Sequence, residues 1–151
     1  MKNYLFIGLI LGLFVACEKS TDPFMITTNS VGFLTDSTMI KELKTVFIND
    51  SLSTYIGGDE FTGSTNTISV YEKTTGTLLL ELDPNYSLDS LSTIRTVRVM
   101  DPRFMNQDGL NTLSTFGDIN SKYQISSIQN TLRSLIISVD EINAYFTLSK
   151  T

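Results

Sequence analysis

Two alternating runs joined by a three-residue turn, Thr67 to Lys73 and Thr77 to Leu82, constrain the fold of this chain more than any other stretch. In the first run Ile68 and Val70 share one face and Thr67, Ser69 and Tyr71 the other; in the second Leu78, Leu80 and Leu82 share a face. A period of two marks a half-buried strand. Thr74-Thr75-Gly76 between the runs ends in a glycine, the residue that takes the positive φ tight loops require. An antiparallel hairpin is therefore predicted.

Ahead of it, Phe24 to Thr28 reads as a strand, Asn29 to Gly32 as a turn, and Met39, Ile40, Leu43, Val46 and Phe47 as a helical stripe. Ser37 or Thr38 is placed to cap that helix, and Glu42 lies in its first turn, where the helix dipole favours negative charge. Asn49-Asp50-Ser51 ends it. Leu52 to Ile56 is a predicted strand, and Gly57 to Asn66, glycine-rich and polar, a loop. After the hairpin, Asp83-Pro84-Asn85 is a stop and Ser92 to Met100 a strand with Val97 and Val99 inward and Arg98 outward. Asn106-Gln107-Asp108-Gly109 is a turn, and Ser114 or Thr115 opens a second helix containing Ile119 and Tyr123. Ile125 with Ile128, Leu135 to Val139, and Tyr145 to Leu148 are three further strands, the last two joined by Asp140 to Asn143.

The two halves read alike: strand, short capped helix ending in an aromatic, strand, hairpin. This suggests an internal repeat over 24–84 and 90–149. The predicted class is α+β, with an antiparallel sheet covered by two short helices in a single domain spanning 24–151.

The amino terminus has a separate logic. Lys2 precedes an apolar run from Tyr4 to Val15, too short for a membrane span of about 20 residues and of signal-peptide length. Phe14-Val15-Ala16-Cys17 resembles a bacterial lipobox, with Phe14 where leucine is commoner. The resemblance implies that residues 1–16 are a lipoprotein signal peptide and that Cys17 receives a diacylglycerol and acyl chains such as palmitate. Each buried methylene contributes about 0.8 kcal/mol, so two or three chains hold a protein stably on a bilayer. Residues 17–23 then form the acylated cysteine and a polar tether closed by Pro23. The expected location is the bacterial cell envelope, lipid-anchored and at the outer membrane. Glu18, Lys19 and Asp22 partly match a signal for export to its outer face.

Composition narrows the chemistry. Cys17 is the only cysteine and there is no histidine, so serine-hydrolase triads, Cys-His nucleophiles and histidine-ligated zinc are excluded. A formal charge of -5, more negative still without Lys2, argues against a nucleic-acid partner. No phosphate-binding glycine motif occurs, and no cofactor is expected. Carboxylates remain. Asp59 with Glu60, or Asp101 with Asp108, are the pairs a glycan-active enzyme would need. Asn106-x-Asp108-Gly109 matches part of a calcium loop but lacks its later glutamate and reads better as a turn. Arg95 and Arg103 could hold an anion if they shared a face.

Val31-Gly32-Phe33-Leu34-Thr35, the strand from Ile94 to Asp101, and Asp108-Gly109-Leu110 followed by Ser114 to Ile119 resemble the small sigma-E-regulated envelope lipoproteins, a domain family of unknown function. That resemblance implies an envelope lipoprotein with no catalytic residues to carry over. Asp36-Ser37-Thr38, Asp50-Ser51-Leu52 and Asp89-Ser90-Leu91 each resemble the O-glycosylation acceptor of some exported proteins, making Ser37, Ser51 and Ser90 candidate acceptors. The reading that follows is a non-enzymatic lipoprotein, attached to the membrane through Cys17, that binds an envelope protein or glycan. A small-ligand binder with a pocket between the halves, and a carboxylate enzyme, are the alternatives.

Overall fold

A computed structural model describes residues 22–54, 67–86 and 89–150. Residues 1–21, with the expected signal peptide and Cys17, and residues 55–66, with Asp59 and Glu60 and the expected glycine-rich loop, lie outside the described residues. The class is α+β, mostly antiparallel, with two short helices, but the strands form three small sheets rather than one.

The predicted hairpin is present as β5 (Ile68–Glu72) and β6 (Leu78–Pro84), with Gly76 at φ +73 in its turn. It forms the centre of a four-stranded sheet with β4 (Asp50–Thr54) on one side and β7 (Ile94–Val99) on the other. β7, which the sequence places at the head of the second half, is thus the fourth strand of the first half's sheet. Pro84, expected as a stop, is instead the last residue of β6. The strict alternation of Leu78, Leu80 and Leu82 is also broken. The register slips between Val70 and Tyr71, Leu79 becomes the extra residue of a bulge, and Leu79, Leu80 and Leu82 are all buried.

A second sheet is assembled from very short strands: β1 (Met25–Thr27), β2 (Ser30–Val31), β3 (Leu34–Thr35) and β8 (Met105–Asn106). β1 and β8 pair in parallel, Met25 with Met105 and Ile26 with Asn106, which ties the start of the fold to its middle. The turn expected over Asn29–Gly32 is therefore split: the chain turns at Thr28-Asn29 and again at Gly32-Phe33, where Gly32 has φ +58, and Ser30 and Val31 between them form β2. The third sheet is a meander of β9 (Ser127–Asn130), β10 (Ser134–Val139) and β11 (Ala144–Ser149).

The helices differ in how they start. α1 (Leu43–Val46) follows a 3-10 turn, Ile40–Glu42, and neither Ser37 nor Thr38 caps it. Glu42 reaches back to accept from the Met39 backbone N–H at 2.9 Å, while Thr38 accepts from the Thr35 N–H. α2 (Phe116–Lys122) has the predicted cap: Thr115 accepts from the Asp118 N–H and Asp118 accepts from the Thr115 N–H at 2.7 Å, a reciprocal pairing that satisfies two free donors. Two apolar cores result. Leu34, Leu43, Phe47, Val70, Leu80 and Phe104 belong to one; Leu110, Ile119, Ile137 and Val139 form the other. Among the described residues no helix is long and apolar enough to cross a membrane.

Candidate functional site

Between the two cores lies a cleft of about 640 Å³. Ile26, Val31 and Leu34 of the short-stranded sheet form one wall, with Phe104 and Leu110 beside them. The other walls are β7 and β11. Every residue from Ile94 to Met100 and from Ile142 to Leu148 lines the space. Successive side chains of a strand point to opposite faces, so an unbroken run of lining residues means that each strand meets the cleft with its edge. Both are edge strands: β7 pairs only with β6 and β11 only with β10.

The charged groups lining it are Asp36, Arg95 and Arg98. Arg98 is tied to Glu81 on the paired strand. Arg95 has a different origin. Thr96 pairs with Asp83 but Ile94 pairs with Pro84, so Arg95 is the extra residue of a second bulge. Without the bulge its side chain would fall on the face of Val97 and Val99; the bulge turns it away from the core and leaves it exposed. Among the described residues the Arg95 side chain has no hydrogen-bond or ion-pair partner.

Arg103, expected to share an anion with Arg95, is engaged elsewhere. Its Nε and Nη2 donate to Asp101 at 3.0 and 2.9 Å, its Nη1 to Glu72 at 2.7 Å, and its guanidinium lies 4.6 Å from the Phe24 ring centroid. Phe24 in turn packs edge-on against Phe104 at 5.0 Å. This staple joins the hairpin, the β7–β8 connection and the residue that precedes the first strand. Hydrogen bonds from Arg103 hold Asp101 below the usual carboxylate range, and hydrogen bonds from Thr75 and Arg103 do the same for Glu72. Asp50, opposite Glu72 across β4 and β5, is pushed up by burial and by that neighbouring charge.

A pH signature follows. Because the folded pKa of Asp101 is depressed, its contribution to stability is complete above its unfolded pKa of about 4 and is lost as pH falls through the lower folded value. Asp101→Asn should lower Tm by about 5 °C at neutral pH, and the gap should close in acid below about pH 4. Asp50 is present in both proteins, so its opposite trend cancels in the comparison. A Tm gap unchanged between neutral pH and pH 3 would mean that the charge on Asp101 is not what holds the staple.

Asp108, the proposed partner of Asp101, is held by other groups. It accepts from the Tyr123 hydroxyl, which also accepts from Asn106 Nδ2 at 3.0 Å. Burial and the Asp108 carboxylate push the Tyr123 hydroxyl up to about 12. The Asn106 side chain accepts from the Asp108 and Leu110 N–H groups, and Gly109 sits at φ +79, so Asn106–Gly109 is the expected turn. A more open depression of about 300 Å³ over α2 is lined by Asp108, Asn111, Ser114 and Asp118, each bonded within its own turn or to Tyr123.

Ser37, Ser51 and Ser90 are all exposed: Ser37 in the turn after β3, Ser51 on edge strand β4, and Ser90 in the segment before β7. Sequence reading offers a pocket between the halves only as an alternative, and what it missed is which strands wall the cleft. Its walls are strand edges and a bulge, and no residue pattern within β7 or β11 marks a strand as an edge. Comparison with protein-family models, with curated proteins and with solved structures finds no match for the chain.

Proposed function

We propose that the chain is a non-enzymatic lipoprotein of the bacterial envelope, anchored through acyl chains on Cys17 to the outer membrane, whose folded domain binds its partner in the cleft between the two cores. The cleft carries this reading. Its volume falls within the roughly 300–1,000 Å³ typical of ligand sites, and apolar side chains such as Ile26, Val31, Leu34, Val97 and Phe146 line it together with hydroxyl, amide and arginine groups that can fix a partner's orientation. Neither Asp101 nor Asp108 lines it, and each is committed to a separate partner, which supports binding over carboxylate chemistry. The lipobox ending in Cys17 and the resemblance to sigma-E-regulated lipoproteins support the location and the anchor.

Two variants test the two parts. Cells expressing the full chain and grown with an alkyne analogue of palmitate should label the protein, and Cys17→Ser should abolish the label. Thr147→Trp, an exposed position on β11, fills the cleft without touching either core. In cross-linked envelopes it should lose neighbours that the unaltered chain recovers. Identical neighbours for the unaltered chain, Cys17→Ser and Thr147→Trp would sink the reading.

A further inference from the structure

The cleft is bounded by an open strand edge whose hydrogen-bonding phase can be worked out. The Ser134 carbonyl accepts from the Thr131 N–H and the Ser138 carbonyl from the Ser126 N–H, so both point toward β9. Backbone groups alternate sides along an antiparallel strand, so Leu135, Ile137 and Val139 bond to their β11 partners Leu148, Phe146 and Ala144. The bond from the Lys150 N–H to the Arg133 carbonyl continues that phase. Tyr145, Thr147 and Ser149 therefore aim their N–H and C=O groups away from β10. Tyr145 and Thr147 are also among the residues that line the cleft.

Edge strands are usually protected by charged residues, proline, a bulge or extreme shortness. β11 has none of these. Its six residues, Ala-Tyr-Phe-Thr-Leu-Ser, are uncharged, and its register with β10 runs without a shift from Ala144 to Ser149. β7, across the cleft, carries both a bulge and two arginines, so of the two edges that face the cleft β11 is the unguarded one.

Resting on the reading of the cleft as the binding surface, we propose that the open edge of β11 is a strand-addition site for an extended peptide segment with alternating apolar residues and a carboxylate that meets Arg95. Main-chain bonds to Tyr145 and Thr147 would supply affinity, and side chains at alternate positions would enter the apolar walls, the division of labour seen when a peptide adds to a sheet edge. Charge complementarity selects the occupant. The cleft lining has two arginines against one aspartate in a protein of formal charge -5, and the Arg95 side chain is unpaired among the described residues. A second copy of the chain pairing through its own β11 would place no acid within the paired strand, since β11 contains none.

The test uses the full chain in detergent, panned against a displayed library of random peptides of about ten residues, enough to span a strand. Enriched sequences should alternate apolar residues and contain an aspartate or glutamate. A synthetic copy of one of them, followed by fluorescence anisotropy, should weaken about tenfold or more when one alternating set of its amides is N-methylated and much less when the other set is. Thr147→Pro removes an outward N–H without breaking a bond to β10 and should weaken binding similarly, while Arg95→Glu should reverse the charge preference of the selected peptides. Equal loss from both N-methylated sets, no enrichment, saturation of the cleft by palmitate with no peptide bound, or a stable dimer that excludes peptide would each overturn the proposal. The Thr147→Trp experiment separates these failures from failure of the cleft reading, because it reports loss of any cleft-bound neighbour whatever its chemistry.

Discussion

Gly32→Ala is expected to destabilise the fold by about 2–5 kcal/mol, lowering Tm on the order of 10 °C. Two independent costs combine at this position. Gly32 has φ +58, a conformation that costs an L-residue about 1–2 kcal/mol. A methyl group there would also stand 2.2 Å from the Pro23 carbonyl oxygen, well inside van der Waals contact, and a backbone oxygen cannot swing aside as the end of a side chain can. Relief requires the Pro23–Met25 segment to lift. That movement would strain the bond from the Gly32 N–H to the Met25 carbonyl, the bond from the Met105 N–H to the Phe24 carbonyl, and the packing of Phe24 on Phe104 and Arg103.

Gly76→Ala is the matching control. Gly76 has φ +73 but nothing lies within 4 Å of the added carbon, so only the conformational cost applies, about 1–2 kcal/mol. Equal losses in the two variants would remove the steric argument. The larger loss at Gly32 should come with faster amide exchange over β1 and β8, because the parallel pairing of Ile26 with Asn106 depends on the same segment. Ile26 is part of the cleft wall, so peptide affinity should fall with it.

The elements legible in the sequence are those whose information is local. The β5–β6 hairpin announces itself by alternation and a turn glycine, and α2 by a Thr115 cap with Asp118 three residues on. The start of α1 was misread for a physical reason. Ser37 and Thr38 are good capping residues, but Thr38 is drawn into the Thr35 turn and Glu42 satisfies the Met39 N–H from inside the helix. β2, β3 and β8 have two residues each, too few to carry any period, and β1 finds β8 some eighty positions away, a pairing that only the folded chain specifies. The bulge at Arg95 depends on the register of Asp83 and Pro84 in the neighbouring strand. The candidate site is built almost entirely from features of this second kind: two edges, one bulge and a wall of two- and three-residue strands. Of the carboxylates singled out from sequence, the two described ones do not line the cleft. Asp101 and Asp108 have chemistry that a sequence displays, but each serves a structural partner.

The second large effect concerns how the two cores depend on one another. Leu80→Ala and Ile137→Ala each delete most of a side chain with no exposed surface, and each should cost about 2–5 kcal/mol. Their consequences should differ in extent. Leu80 pairs with Val70 on one side and Val99 on the other, at the centre of the four-stranded sheet, so its loss weakens the core from which both β7 and the short-stranded sheet are supported. Ile137 pairs with Ile128 and Phe146 in the meander, and none of the residues packed with it is shared with the first core. Polar links between the two include Asn106, which belongs to β8, donates to Tyr123 at the end of α2 and accepts from the Leu110 N–H. A region held mainly by its own small core opens at lower free energy than the whole. Ile137→Ala should therefore raise amide exchange across β9, β10 and β11 while β5 and β6 keep the protection of the unaltered chain, whereas Leu80→Ala should lower protection everywhere. A uniform loss in both variants would mean that the cores unfold as one unit. The expected split has a direct bearing on the cleft: β11, its unguarded edge, belongs to the part that opens first, so a peptide added to that edge should restore protection to the meander in Ile137→Ala by mass action.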